Sequence, residues 1–194
     1  MSDDRKPYQA SSSVQNSAVY KLVTSRILEN FESRLKLDSI DEYTRQKLRM
    51  FQPTIDLEMS DILADFYQHM KQFPQAEKYL AGRDVNYLKL RQSQHWNRLF
   101  SATFNEDYIS SAVRVGLVHH KIGLPLFLYL SGYNRVQCDL TALAIKHHAG
   151  TLAATDTVSA IIKAVAIDMD IAISCYFLAE NLRLRIDDTS RKLV

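Results

Sequence analysis

The run from Ala112 to Asn134, Ala-Val-Arg-Val-Gly-Leu-Val-His-His-Lys-Ile-Gly-Leu-Pro-Leu-Phe-Leu-Tyr-Leu-Ser-Gly-Tyr-Asn, decides how the chain reads. Up to Lys121 it has helical character, with Val115, Val118 and His119 on adjoining positions. Gly123 and Pro125 then stop that helix and start another. His119 therefore falls in a last helical turn, where backbone holds the ring while the chain turns away beyond it. That is a favourable place for a ligating side chain.

Working outward, the remaining segments also read as helices. Asn16 to Leu37 carries Val19, Leu22, Val23, Ile27, Phe31 and Leu35 at helical spacing, with charged residues between them. Asp38-Ser39 interrupts it, and a short helix is expected from about Asp41 to Met50 or Phe51. Pro53 suits the first turn of the next one, whose apolar face of Ile55, Met59, Ile62, Leu63, Phe66, Tyr67 and Met70 runs towards Pro74. A short piece at about 75–80 ends at Gly82, and a helix follows from Asp84 to Phe100. Asn105, with Glu106 and Asp107 behind it, opens the helix that leads to His119. Two long helices finish the chain, from Pro125 to about Ala149 and from Ala153 or Asp156 to about Arg185, parted at Gly150-Thr151. No segment carries a strand or hairpin signal. The expected class is all-α, with seven or eight helices, a loose arm at 1–15, one domain at 16–185, and a tail or linker start at 186–194.

Composition narrows the partners. Twenty-four basic and 22 acidic residues leave a net charge of +2, which gives no sign of nucleic acid or an anionic membrane. No apolar run reaches the length of a transmembrane helix, and Met-Ser-Asp-Asp-Arg-Lys has no signal-peptide core. Two widely separated cysteines, Cys138 and Cys175, fit a reducing compartment, so a cytoplasmic protein is expected. The last helix is apolar over most of its circumference. It is either the centre of a compact bundle or half of a two-fold interface.

The six histidines include no His-Glu-x-x-His, no close cysteine pair accompanies them, and no carboxylate cluster is present. Protein-only zinc and di-iron sites are poorly supported. A single histidine among apolar walls holds a bare ion badly, yet it can hold haem iron, since the porphyrin supplies four equatorial nitrogens. A satisfied core or surface histidine is the bland alternative for each of the six, and His147 and His148 are left there. His119 stands out by its last-turn position, by Gly116 before it and by Phe127, Tyr129 and Tyr133 after it. Gly116 alternatively serves only to let two helices cross closely.

Arg114-Val-Gly-Leu-Val-His119-His-Lys-Ile-Gly-Leu-Pro125, followed by Tyr129-Leu-Ser-Gly-Tyr133-Asn134, resembles the proximal region of the globin-coupled sensors and, more distantly, that of the protoglobins. Asp65-Phe-Tyr67 and Leu88-x-x-x-Gln92-x-x-His95-Trp96-x-x-Leu99-Phe100 are similar to the same family and keep its order. The resemblance implies a globin-like fold with an additional N-terminal helix and without the short helix between the second and third standard globin helices. It implies haem b as cofactor, His119 as proximal ligand and Tyr67 as the distal donor to O2. Leu88 would wall the distal pocket, Gln92 would face the same space, and Tyr133 would hydrogen-bond near His119 or a propionate. Arg114 and Lys121 are candidates to balance propionate charge. His120 departs from the small or apolar residue common there, and its direction competes only if the helix phase is shifted. His95 and Trp96 read as packing or as a helix-to-helix hydrogen bond.

Functionally, the resemblance implies an oxygen or diatomic-gas sensor, binding O2, with CO or NO as further candidate ligands. It would be a homodimer through its last two helices and would signal to a C-terminal output domain such as a diguanylate cyclase or histidine kinase. Two readings compete with it. One is a stand-alone protoglobin-like haemoprotein that binds or turns over O2, CO or NO; the other is a cofactor-free all-α interaction module, in which Tyr67 is a core aromatic.

Overall fold

The computed structural model describes residues 17–149 and 151–191, with side chains described as far as residue 184. The arm expected at 1–15 and the glycine of the Gly150-Thr151 break lie outside the described residues. Eight helices and no strand occur among those described: α1 (Ala18–Leu28), α2 (Phe31–Leu37), α3 (Glu42–Met70), α4 (Pro74–Glu77), α5 (Val85–Phe100), α6 (Glu106–Lys121), α7 (Leu126–His147) and α8 (Ala153–Arg191). The fold is all-α and globin-like, with extra helices at its N-terminal end.

Capping chemistry accounts for most boundaries. Asp41 accepts from the Thr44 amide at 2.8 Å, Asp84 from those of Asn86 and Tyr87, and Asn105 from that of Tyr108. Two expected breaks differ. The single helix expected at 16–37 is divided at Glu29 and Asn30, where the Asn30 carboxamide oxygen accepts from Arg34 Nε at 2.8 Å. Asn30 is the N-cap of α2, a position that asparagine favours over a helix interior. In the other direction, the helices expected on either side of Pro53 are one, α3. A proline inside a helix costs about 3 kcal/mol. Leu48, Phe51, Ile55, Met59, Leu63 and Tyr67 form one buried stripe at three- and four-residue steps across Pro53. At about 1.5–3 kcal/mol for each large side chain, that stripe outweighs the proline.

The last helix is the axis of the bundle. α8 packs against α6, α7, α3 and α1, and buries Ile161, Ala164, Val165, Ile167, Ile171 and Ala172. Those neighbours account for most of its apolar circumference, and Ile162, Ile173 and Phe177 remain exposed. Its backbone continues to Arg191, beyond the expected end near Arg185. α6 crosses α8 at Gly116. A Cβ placed on that glycine would lie 2.9 Å from Cys175 Cβ and 3.3 Å from Ala172 Cα, so the glycine permits the close crossing.

Candidate functional site: a cavity beside the last turn of α6

α6 ends as the sequence predicts. Gly123 takes φ of +70°, its amide donates to the His120 carbonyl, and the Leu124 amide donates to that of His119 at 3.0 Å. This left-handed cap needs glycine. Two tyrosines pin the turn from outside: Tyr79 donates to the Gly123 carbonyl at 2.8 Å and Tyr176 to that of Leu124 at 2.9 Å. The His119 ring is thus carried by a rigid corner. Its Nδ1–H donates to the Val115 carbonyl at 2.8 Å. A carbonyl only accepts, so the proton is on Nδ1 and the Nε2 lone pair is open. Burial lowers the basicity of the ring below the ordinary histidine value and so favours the neutral form, against the pull of the Val115 carbonyl, which favours the charged one.

Beside this ring lies a cavity of about 280 Å³. His119, Tyr67, Leu88, Gln92 and Tyr133 all line it, brought together from α6, α3, α5 and α7. Tyr67 is only 8% exposed, and its hydroxyl makes no hydrogen bond among the described residues. Burial pushes that phenol well above its ordinary pKa, so it keeps its proton and is available as a donor. The backbone partner that a core tyrosine would use is not engaged. The lining also includes Arg83, Arg91, Arg98 and Arg114 and no Asp or Glu, so its charge is positive throughout.

His120, His147, His148 and His95 have polar partners of their own, and of these four only His95 also lines the cavity. His120 faces α8, 3.5 Å from a Glu180 carboxylate oxygen and edge-on to Tyr176. His148 Nε2 lies 3.1 Å from the Thr157 hydroxyl, and His147 Nδ1 lies 3.4 Å from that of Thr54. His95 makes a helix-to-helix hydrogen bond, through Nε2–H to Asp168 at 2.7 Å. Among the described residues, no group of three His, Cys, Asp or Glu is placed to hold a bare metal ion.

The protoglobin family model matches residues 28–181. The chain belongs to the protoglobin family. Its likeness to the haem-based aerotactic transducer HemAT of Halobacterium salinarum is 27% identity over 170 residues, covering 82% of this chain and 35% of that protein. The chain thus spans about a third of that relative's length. Its fold is similar to the globin domain of a Geobacter sulfurreducens globin-coupled sensor, with a TM-score of 0.70 at 16% identity, covering 75% of this chain and 96% of that one.

In this protoglobin-family chain, the structure also shows site residues that the sequence left without a role. Tyr129 is the ring packed on His119, with centroids 4.8 Å apart. The Tyr133 hydroxyl bonds to Asp168 and lies 3.2 Å from that of Tyr129. Asp168, 1% exposed, accepts from Tyr108 as well, at 2.6 Å. Burial works against its charged form, but His95 beside it and the three hydrogen bonds outweigh that and hold the carboxyl below its ordinary value. One signal was present. Asp168 is a lone acid on the stripe of Ile161, Ala164, Val165, Ile171, Ala172 and Cys175, where an apolar residue belongs.

Proposed function

We propose that this chain is the haem-binding, gas-sensing part of a signalling protein, with His119 as the iron ligand. The observation that carries the reading is the pairing, on the walls of one cavity, of a neutral imidazole with an open Nε2 and a protonated phenol without a hydrogen-bond partner among the described residues. When bound, ferrous haem supplies an iron position that takes O2, CO or NO. The residues present fit that group. The Val115 carbonyl fixes the tautomer that offers Nε2 to iron, as ligating histidines require. Tyr67 donates towards a polar diatomic ligand and discriminates in favour of O2 over CO. Leu88 and Gln92 wall the space, Tyr133 holds Tyr129 against the ligating ring, and the four arginines offset the two porphyrin carboxylates.

The sensor reading, rather than storage or turnover of the gas, is supported by the kinds of protein the chain is similar to, an aerotactic transducer and a coupled sensor. Output passes through α7 and α8 to a further domain. The exposure of Phe127 and Ile145 on α7, and of Ile162, Ile173 and Phe177 on α8, supports a homodimer through this helix pair. No helix among the described residues is long and apolar enough to cross a membrane, and both cysteines are free, which supports a cytoplasmic setting. The test is the visible absorption spectrum of the purified protein, reduced and then exposed to O2 and to CO. A strong haem band that shifts with each gas is expected; a protein that stays colourless after haem is supplied overturns the reading.

A further inference from the structure

Asp168 lines no part of the cavity, yet it holds the walls of it. A buried carboxylate costs several kcal/mol in desolvation, and an apolar residue of similar size in such a place is commonly neutral or stabilising. Stability alone therefore gives α8 no reason to carry an acid within an apolar stripe. What the acid supplies is direction. Three donors from three other helices converge on it: His95 Nε2–H from α5, the Tyr108 hydroxyl from α6 and the Tyr133 hydroxyl from α7. The other ring nitrogen of His95 is buried and without a hydrogen-bond partner among the described residues, so the bond to Asp168 is the one that orients that ring. His95 follows Gln92 by three residues on the cavity-lining face of α5.

The second arm runs to the ligating histidine. Tyr133 has one proton and gives it to the carboxylate, so the Tyr129 hydroxyl must be the donor in the 3.2 Å contact between the two phenols. That bond fixes the tilt of the Tyr129 ring, which lies at 53° to the His119 imidazole. Without Asp168, Tyr133 is free to turn its proton elsewhere, and Tyr129 loses the anchor that holds it on His119.

We propose that Asp168 is a positioning residue that ties the His95 wall and the His119 corner of the cavity to the last helix, acting on the ligating imidazole through Tyr133 and Tyr129. The inference rests on the haem-binding reading above. A displacement of α8 against α7 is felt at His119 through this chain of contacts, and a change in His119 is felt on α8.

The test compares wild-type protein with Asp168→Asn and Tyr133→Phe, purified as full chains. The readouts are haem content and the iron–histidine stretching band in the resonance Raman spectrum of the reduced, ligand-free protein. Both variants are expected to retain haem while their stretching band shifts or broadens, and gas release to change several-fold. Tyr133→Phe removes one oxygen atom, so it decides the matter if Asp168→Asn fails to fold. A band identical to wild type in the folded variants, accompanied only by a change in melting temperature, overturns the proposal and leaves Asp168 a structural residue. If the wild-type chain takes up no haem, the function proposed above fails. The His119 ring resonances in NMR spectra of that same purified protein then decide the positioning role. A shift in Tyr133→Phe supports it, and unchanged resonances overturn it.

Discussion

A phenol 8% exposed that donates to no protein acceptor has left a hydrogen bond unmade, at a cost of about 1–3 kcal/mol where the group is fully desolvated. The Tyr67 hydroxyl escapes full desolvation by opening on a cavity, which is where a donor for a visiting ligand belongs. Tyr67→Phe is expected to speed O2 release markedly and to change CO release much less, as read by stopped-flow absorption; an unchanged O2 off-rate would mean that another group donates. Asp168 makes a prediction of a different kind. Its carboxyl titrates lower in the folded chain than its ordinary value of 3.8, so on acidification the unfolded state takes up the proton first. The stability due to its hydrogen bonds is present above about pH 3.8 and is lost as pH falls through the folded value. Denaturant titrations over that range should show a stability loss in the wild type that is smaller in Asp168→Asn. The last-turn position of His119 and the cap at Gly123 were legible because a glycine cap leaves a local signature. Asp168 shows in the sequence only as an acid out of place on an apolar stripe; its role was hidden, because its three donors come from sequence positions 95, 108 and 133, and no local pattern connects them.

At the level of the helices, positions that sequence reading leaves ambiguous are settled by what lies across the contact. Gly116 read equally well as room beside a ligating histidine or as a helix crossing. The structure gives the crossing, with Cys175 of α8 seated against it. A side chain there must force α6 and α8 apart, and overpacking of this sort costs about 1–3 kcal/mol. Gly116→Val is expected to lower unfolding stability by about that amount in chemical denaturation, and a variant as stable as the wild type would show that the helices separate freely. Pro53 illustrates the opposite case. Its local signal is to begin a helix, but the stripe from Leu48 to Tyr67 keeps register on both sides, and burial of that stripe prevails over the local preference. At Asn30 an equally regular stripe hid a division that is present. Ile27, Phe31 and Leu35 keep a four-residue spacing straight through it.

For the molecule as a whole, the all-α class and the order of its helices could be read from periodicity, caps and the glycine and proline breaks. The family was legible from the run around His119. Periodicity alone left open whether α8 was a bundle axis or an interface. The structure shows the axis, with an apolar remainder of Ile162, Ile173 and Phe177 exposed along it. Phe177, 66% exposed, lies on that remainder and away from the cavity, which makes it the residue with which to test the proposed dimer. Phe177→Glu is expected to shift sedimentation from dimer to monomer while leaving the absorption spectrum unchanged; a variant that sediments as the wild type does would place the interface elsewhere. Iron held through His119 Nε2 is the proposal from which the other roles follow. The direct measurement is a haem titration of the wild type beside His119→Ala, followed at the haem absorption band with and without added imidazole. The wild type should saturate sharply, and His119→Ala should hold haem weakly until imidazole restores the band. Equal retention by the variant without imidazole would contradict the assignment.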